Sequence, residues 1–246
     1  MRNFGLIGFP LGHSFSKRYF TDKFKSQNID AHYELYPLAE ISLLSELLDK
    51  VENLCGLNVT IPYKQDVFSF LNDIDESAKE IGAVNTIKIS NIGGVKNLKG
   101  FNTDYIGFKE TLLPLLRPDI KKGLVLGTGG ASKAVVYALK SLGITPTLVS
   151  RISGKGILSY SELTPEIMED NLLIVNTTPL GMYPNVETAP EIPYSLLGPN
   201  HICYDLVYNP ELTTFMRKSM EQGATVKNGL DMLYGQAEAA WEIWNS

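Results

Sequence analysis

Apolar stretches of strand length alternate with segments of helical periodicity along almost the whole chain. The short apolar stretches predict strands at 4–9, 32–37, 54–59, 84–89, 98–101, 123–127, 146–150, 172–176 and 201–206. Apolar residues at helical spacing predict helices at 17–27, 41–51, 75–81, 105–116, 131–142, 211–222 and 230–244. This alternation predicts an α/β fold with largely parallel sheets and crossover helices.

A domain boundary is predicted near Asn102–Asp104. Asn91-Ile-Gly-Gly closes a hairpin before it, and a new strand, glycine loop and helix begin at Gly123. We therefore expect an α/β domain over residues 1–103 and a Rossmann-type doubly wound domain over 104–228. Ligands of open α/β sheets bind beyond the carboxyl ends of the strands, so a cleft is expected between the domains.

Composition excludes several classes of protein. The chain has 246 residues, of which 44% are hydrophobic and 20% are charged, as is ordinary for a soluble globular protein of two domains. Its net charge of -5 argues against a nucleic-acid or anionic-membrane partner. No apolar stretch approaches the ~18 residues that span a bilayer. The first residues enter a strand-like segment with no signal-peptide pattern, which predicts a cytoplasmic protein.

Cysteine and histidine usage gives no support for a disulfide or a metal. Cys55 and Cys203 lie in apolar strand-like segments, where buried free thiols are expected in a reducing compartment. The histidines, His13, His32 and His201, are far apart in the sequence, so a zinc site is not expected.

The segment Asn58-Val-Thr-Ile-Pro-Tyr-Lys64 places hydrogen-bonding groups and a lysine where a buried strand ends. Pro62 stops the strand because it has no N–H for a ladder. Asn58 and Thr60 suit polyol recognition, and a partly desolvated Lys64 can exchange protons near neutral pH. The alternative is a strand end with a solvated lysine.

A glycine-rich loop, Gly127-Thr128-Gly129-Gly130-Ala131, lies between a predicted strand and a predicted helix. Glycines permit a tight turn and let the backbone N–H groups of a helix N-terminus approach a pyrophosphate. Ser132 replaces the third glycine of the usual fingerprint. The context favours dinucleotide binding over a structural turn.

The residues after the next predicted strand favour NADP over NAD. An NAD site would want an acidic residue about 20 positions after the glycine loop, to bind the ribose hydroxyls. The chain instead has Ser150-Arg151, followed closely by Lys155. A guanidinium suits a 2′-phosphate in charge and bidentate geometry, whereas the alternative is an exposed loop arginine.

Other polar segments also lie at predicted element ends. Ser14 and Ser16 could bind a substrate hydroxyl or carboxylate, although Ser16 could instead cap a helix. Asp104 is suited either to an N-cap or to a carboxylate that orients Lys64, and such a pair exchanges protons without a histidine or metal. The segment Asn176–Met182 could line the nicotinamide side. Gln236 could reach a substrate or be a solvated helix residue.

Taken together, these segments resemble shikimate dehydrogenases, in order and over essentially the whole chain. The matching motifs are Gly-His-Ser14-Phe-Ser16, Asn58–Lys64, Gly-Ala-Val-Asn85-Thr, Gly-Phe-Asn-Thr-Asp104, the Gly127–Ala131 loop, Asn-Thr-Thr-Pro-Leu-Gly-Met182, Tyr-Asp-Leu-Val-Tyr208 and Asn-Gly229 to Gln236. The chain departs from the family in Ser150-Arg151-Ile152, where Asn-Arg-Thr is usual.

The resemblance implies a role for each matching position. Lys64 would be the general acid/base, paired with Asp104. The shikimate-binding residues would be Ser14, Ser16, Asn58, Thr60, Asn85, Asp104, Tyr208 and Gln236. The NADP-binding residues would be Gly127, Thr128, Gly129, Gly130, Ala131, Arg151 and Lys155, with Glu76, Leu206 and Gly229 nearby. The implied reaction is the reversible, NADPH-dependent reduction of 3-dehydroshikimate to shikimate on the route to chorismate and the aromatic amino acids.

The resemblance also implies residues 1–103 as the substrate-binding and catalytic domain and residues 104–228 as the NADP-binding domain. It implies that the C-terminal helix, about 229–246, packs back on the first domain. The protein is expected to be a monomer or homodimer. The nearest alternative is a quinate/shikimate dehydrogenase with broader substrate choice that uses NAD. Another is a regulator that binds a dinucleotide or metabolite without catalysis. A folate-type dehydrogenase fits least well, because Ser14, Ser16, Asn85 and Gln236 suit a polyol.

Overall fold

The computed structural model describes residues 1–12 and 14–246, whose strands form two six-stranded sheets. Each sheet belongs to its own compact unit. The first unit comprises Met1–Thr103 and Ala237–Ser246, and the second comprises Asp104–Gln236. Both sheets combine strands with helices, so the predicted α/β class is confirmed.

The sheet of the first unit is mixed, with the strand order β2-β1-β3-β5-β6-β4. Strand β1 pairs in parallel with β2 and β3, whereas β5 is antiparallel to both β3 and β6. The strands are β1 (Arg2–Gly8), β2 (Ala31–Pro37), β3 (Leu54–Val59), β4 (Asp73–Ile74), β5 (Thr86–Ile92) and β6 (Val95–Phe101). The helices are α1 (Phe15–Ser26), α2 (Leu44–Lys50) and α3 (Glu76–Ile81).

The predicted hairpin is the turn between β5 and β6. Ile92 pairs with Val95, and the two residues between them are glycines with φ of 62° and 85°. Two successive residues with positive φ are required by the tight turn whose twist matches that of a hairpin, and glycine adopts them without steric cost.

The sheet of the second unit is entirely parallel, with the order β12-β11-β10-β7-β8-β9. Its strands are β7 (Lys122–Leu126), β8 (Thr145–Ser150), β9 (Ile157–Ser159), β10 (Leu173–Asn176), β11 (Ile202–Asp205) and β12 (Thr225–Lys227). Its helices are α4 (Asp104–Leu112), α5 (Gly130–Ser141), α6 (Pro165–Asp170) and α7 (Thr214–Met220), and α8 (Leu230–Asn245) begins in this unit and ends in the first. This is the doubly wound order, in which the direction of strand addition reverses between β7 and β10.

Alternate residues of the central strands in the second unit enter two different hydrophobic clusters. Val125 and Val175 pack in one cluster, whereas Leu124 and Ile174 pack in the other. Because both faces of the sheet are covered, these strands are continuously apolar. A dinucleotide is expected to bind beyond the strand ends at the reversal point of such a sheet.

In the first unit, the end of α8 packs against β1 and α1. Trp244 stacks on Phe4 and donates a hydrogen bond from Nε1 to the carbonyl of Ile87. No helix among residues 1–12 and 14–246 is long and apolar enough to cross a bilayer.

The sequence pattern did not predict four short elements. These are β4, β9, β12 and α6, each between two and six residues long. The predicted strand at 84–89 is displaced by two residues at its start, since β5 begins at Thr86. The helix predicted at 105–116 is an α-helix to Leu112 that continues as the 3-10 turn Leu113–Leu115, because Pro114 lacks the N–H of an α-helical turn.

Candidate active site

A buried network of amides and hydroxyls lies near the carboxyl end of β3 in the first unit. Asn58, the fifth residue of β3, is 8% exposed, and its Oδ1 accepts a hydrogen bond from the Tyr33 hydroxyl at 2.8 Å. Its Nδ2 donates to Oγ1 of Thr86 at 3.2 Å. Its Nδ2 also donates to the carbonyl of Asn85 at 3.4 Å, and because a carbonyl can only accept, this contact determines the orientation of the Asn58 amide.

Tyr33 also connects this network to the serine motif. Its hydroxyl hydrogen-bonds the side chain of Ser16, and burial raises the pKa of Tyr33 far above that of an ordinary phenol. The sequence analysis did not identify Tyr33, which is 25 positions from Asn58 and lies on a different strand. No local pattern indicates such a partner.

Asn85 is the second amide of the network and is 2% exposed. Its Oδ1 accepts from the backbone N–H of Thr103 at 2.7 Å, and its Nδ2 donates to Oγ1 of Thr103 at 3.0 Å. Its own carbonyl accepts from the N–H of Val59 at 2.8 Å. Asn85 therefore joins the ends of β3 and β6 at the start of β5.

Ser14 and Ser16 are placed by the beginning of α1. Ser14 is the N-cap, with its Oγ accepting from the N–H of Lys17 at 3.4 Å, so the capping role considered for Ser16 belongs to Ser14. Ser16 lies inside the first turn of the helix. His13, the preceding residue of the predicted motif, lies outside the described residues.

Thr60 and Lys64 follow β3 in a turn that is held at several points. The N–H of Thr60 donates to the carbonyl of Ile7 at 2.9 Å, and the carbonyl of Lys64 accepts from Val84 at 2.8 Å. Tyr63, between them, is 5% exposed and donates from its hydroxyl to the carbonyl of Leu38 at 2.6 Å. The backbone of Lys64 is thus fixed while its side chain is half-buried.

Three other predicted residues lie on helices. Asp104 is the first residue of α4 and is 8% exposed, so it lies inside the helix and not at the N-cap position considered for it. Glu76 lies in the first turn of α3 in the first unit and forms an exposed ion pair with Lys79. Gln236 lies in α8, where its backbone N would be 2.7 Å from a Cβ at Gly107, so α4 and α8 pack closely.

The glycine loop of the second unit follows β7 at the reversal point of the sheet. Gly127 has a φ of 106°, and a Cβ there would lie 2.9 Å from Oγ1 of Thr177. A Cβ on Gly129 or Gly130 would meet nothing within 4 Å. These two glycines therefore leave open the space in front of the N-terminus of α5, which fits a pyrophosphate approaching the backbone.

A cavity of about 420 Å³ adjoins this loop, lined by the segments that follow β10 and β11. Its lining residues are Ala131, Thr177, Thr178, Pro179, Met182, Tyr183, Leu206, Val207, Tyr208 and Asn209. Gly229 packs directly against the backbone of Leu206, one of these lining residues, since a Cβ at Gly229 would lie 2.1 Å from the carbonyl oxygen of Leu206. The predicted residues Ala131, Leu206 and Tyr208 are thus brought together.

Arg151 and Lys155 follow β8 and are both exposed. Burial raises the pKa of Tyr160, and the positive charge of Arg151 partly offsets that rise, so Arg151 lies near this tyrosine. The segment around them bends back through Gly154 and Ile157 and adds β9 to the sheet. A guanidinium at the end of β8 remains accessible to an anionic ligand.

The structure also reveals a buried carboxylate beneath the cavity, which the sequence analysis did not select. Asp205, the last residue of β11, is 0% exposed, and burial raises its pKa to about 6 against the effect of its hydrogen bonds from Thr213, Val207 and Asn176. Its position inside the Tyr-Asp-Leu-Val-Tyr motif is the signal that could have identified it.

Comparisons with known proteins place these features in a family. Residues 6–87 match the model of the shikimate dehydrogenase substrate binding domain. The chain is 39% identical over 259 aligned residues to the shikimate dehydrogenase (NADP(+)) of Carboxydothermus hydrogenoformans, covering 98% of this chain and 90% of the relative.

Among the similar solved structures, two illustrate the match over nearly the full length of this chain. Shikimate 5-dehydrogenase from Thermus thermophilus, in complex with NADP(H) and shikimate, is 30% identical with a TM-score of 0.85, covering 99% of this chain and 93% of that one. Quinate dehydrogenase from Corynebacterium glutamicum, in complex with NAD, is 25% identical with a TM-score of 0.85 and the same coverage.

Proposed function

The chain belongs to the shikimate dehydrogenase family, and we propose that it catalyses the reversible, NADP-dependent reduction of 3-dehydroshikimate to shikimate in aromatic amino-acid biosynthesis. The observation that supports this most directly is the buried amide network of Asn58 and Asn85, together with Lys64 in the turn that follows the strand of Asn58. Oriented amides and hydroxyls beside a lysine suit a ring polyol that exchanges a proton.

In this proposal, most of the substrate-binding residues belong to the first unit and the dinucleotide is bound by the second unit. The substrate contacts are assigned to Ser14, Ser16, Asn58, Thr60, Asn85, Asp104, Tyr208 and Gln236. Fixed backbone around Thr60 and Lys64 supports the assignment, since their groups would be held in place before the substrate arrives.

Lys64 is the proposed general acid/base. When bound, NADPH would supply a hydride to the carbonyl carbon of 3-dehydroshikimate. As negative charge develops on the carbonyl oxygen, the Lys64 ammonium group donates its proton, and shikimate leaves with a new hydroxyl. In the reverse direction, Lys64 accepts that proton as the general base. Asp104 is the proposed carboxylate partner that orients Lys64.

The dinucleotide is assigned to the second unit. Gly127, Thr128, Gly129, Gly130 and Ala131 would hold the pyrophosphate, and the open space at Gly129 and Gly130 supports this. Arg151 and Lys155 would bind the 2′-phosphate. Leu206 and Gly229 would shape the nicotinamide end, and Glu76 is also assigned to the dinucleotide.

A second candidate is a quinate/shikimate dehydrogenase that uses NAD. The similarity to a quinate dehydrogenase in complex with NAD favours considering it. We place the protein in the cytoplasm as a monomer or homodimer, in keeping with its free cysteines, Cys55 and Cys203.

Replacing Lys64 tests the catalytic assignment. Lys64→Ala is expected to lower kcat for shikimate oxidation roughly 10²-fold or more, the scale of general acid–base catalysis. Lys50→Ala is the matched control, because Lys50 is an exposed lysine of the same unit that forms an ion pair with Glu46 on α2. Stopped-flow and steady-state rates with NADP⁺ measure the effect. Turnover of Lys64→Ala close to that of the control would remove Lys64 from the mechanism.

A further inference from the structure

Asp205 is a buried carboxylate whose charge is balanced by hydrogen bonds alone. Within the described part of the chain, it has no cationic side chain as an ion-pair partner. Three donors point at it instead: Oγ1 of Thr213 at 2.6 Å, Nδ2 of Asn176 at 2.9 Å and the N–H of Val207 at 3.0 Å. A buried carboxylate requires such donors, and these three come from three different parts of the second unit.

One of these hydrogen bonds extends to the wall of the 420 Å³ cavity. Because Nδ2 of Asn176 donates to Asp205, Oδ1 of Asn176 is turned towards Thr178. There it accepts from the N–H of Thr178 at 3.0 Å and from its hydroxyl at 2.7 Å. Thr178 lines the cavity, so Asp205 determines the position of one cavity wall through Asn176.

The other wall is bound to Asp205 directly. Val207 lines the cavity and donates its N–H to Oδ1 of Asp205. The same oxygen accepts from Asn176, so both walls are joined to one atom. Oδ2 accepts from Thr213, the N-cap of α7, which fixes the carboxylate relative to that helix.

We propose that Asp205 is a positioning residue that holds the segments after β10 and β11 in the arrangement that binds the nicotinamide end of the dinucleotide. The identity of that ligand rests on the proposed function. Asp205 itself does not line the cavity, so it acts through Asn176, Thr178 and Val207.

The test combines cofactor affinity with a measurement on the protein alone. Asp205→Ala is expected to raise the Kd of NADPH, followed by its fluorescence, about tenfold, the effect of losing one or two buried hydrogen bonds. It should also accelerate amide hydrogen exchange at Thr178 and Val207 without any ligand. Asp205→Asn retains an oxygen for Asn176 and Val207, and should restore most of both properties.

Two further variants separate positioning from general destabilisation. Asn176→Ala removes the connection to Thr178 and leaves the bond from Val207, so exchange should accelerate at Thr178 and not at Val207. Met168 is a fully buried residue of α6 in the hydrophobic core. Met168→Ala leaves a cavity there and should lower the unfolding temperature without changing NADPH affinity.

Unchanged exchange at Thr178 in both Asp205→Ala and Asn176→Ala would overturn the proposal, as would an equal loss of NADPH affinity in Met168→Ala. If Asp205→Ala does not fold, the selective effect of Asn176→Ala decides. Absence of NADPH binding by the unmodified protein would contradict the proposed function, whereas the exchange measurements would still test the positioning role.

Discussion

Two charged residues of the second unit have opposite surroundings: the carboxylate of Asp205 is buried and the guanidinium of Arg151 is exposed. Asp205 is ionised at neutral pH at the cost of its desolvation, and Arg151 is exposed to solvent, where an anionic ligand can reach it. Asp205 leads to a prediction about the pH dependence of stability, and Arg151 leads to a prediction about the choice between NADP and NAD.

Burial of Asp205 makes the protein less stable as pH rises through the acidic range. Its pKa is 3.8 in the unfolded chain and about 6 in the folded one, so the folded state binds more protons between those values. Its contribution to the free energy of unfolding is fully present below pH 3.8 and is lost as pH rises through about 6. The shift in pKa corresponds to a loss of roughly 3 kcal/mol, at 1.36 kcal/mol per pKa unit. The neighbouring Tyr194 and Cys203 stay neutral there, because burial raises the pKa of each.

Urea unfolding followed by far-ultraviolet circular dichroism between pH 4 and pH 7 measures this dependence. The difference between the unmodified protein and Asp205→Asn isolates it, since all other titrating groups are shared. As pH rises, the free energy of unfolding of Asp205→Asn should increase relative to that of the unmodified protein. A constant difference across the range would mean that Asp205 has an ordinary pKa in the folded state.

Arg151 is predicted to discriminate between the two dinucleotides. Arg151→Ala should raise the KM for NADP⁺ roughly tenfold or more, because a charge-assisted hydrogen bond to the 2′-phosphate is lost. The KM for NAD⁺, which lacks that phosphate, should change little. Arg117→Ala is a suitable control, since Arg117 is an arginine of the same unit that forms an ion pair with Asp119. An equal rise in both KM values would contradict the 2′-phosphate role.

The sequence identified the residues of the candidate site better than it identified their partners. Asn58 and Asn85 were selected from motifs, but Tyr33 and Thr103 complete their hydrogen bonds from 25 and 18 positions away. Asp205 was passed over within its own motif because its burial depends on Asn176, 29 positions earlier. Tertiary partners leave no periodic signal in a sequence.

At the scale of the elements, the long apolar strands were predictable and the short edge strands were not. Strand β3 was predicted with the bounds that the structure has, because its apolar residues are buried and Pro62 follows. By contrast, β4 and β9 have two and three residues, and each pairs at the edge of its sheet. Such strands bury little apolar surface, so pairing with an existing neighbour determines them and local pattern does not.

The packing of α8 on β3 depends on a glycine. A Cβ at Gly56 would lie 2.2 Å from Nε1 of Trp244, whose N–H is bound to Ile87. Gly56→Ala should therefore displace Trp244 and lower the free energy of unfolding by about 1–3 kcal/mol, as overpacking does. Gly198→Ala is the control, since a Cβ there meets nothing within 4 Å.

Tryptophan fluorescence reports this change specifically. The two tryptophans of the chain, Trp241 and Trp244, both lie in the part of α8 that belongs to the first unit. Urea unfolding followed by this signal should show the loss of stability for Gly56→Ala and not for Gly198→Ala. Equal midpoints for the two variants would show that β3 accommodates a Cβ by moving away from the helix.

At the scale of the whole molecule, the predicted α/β class and the resemblance to shikimate dehydrogenases are both confirmed. The order of the motifs along the chain was sufficient to identify the family. Most of these motifs lie where a strand ends, which is where binding groups tend to be placed. The assignment of individual residues to substrate and cofactor stays a prediction, since it concerns groups that act only when both ligands are bound.

Steady-state kinetics that combine shikimate and quinate with NADP⁺ and NAD⁺ test the central claim most directly, by following the absorbance of the reduced cofactor. We predict that shikimate with NADP⁺ gives the highest kcat/KM of the four pairs, by at least about tenfold, or ~1.4 kcal/mol in transition-state stabilisation. Turnover of quinate with NAD⁺ at an equal or higher kcat/KM, or no turnover of shikimate with either dinucleotide, would contradict it.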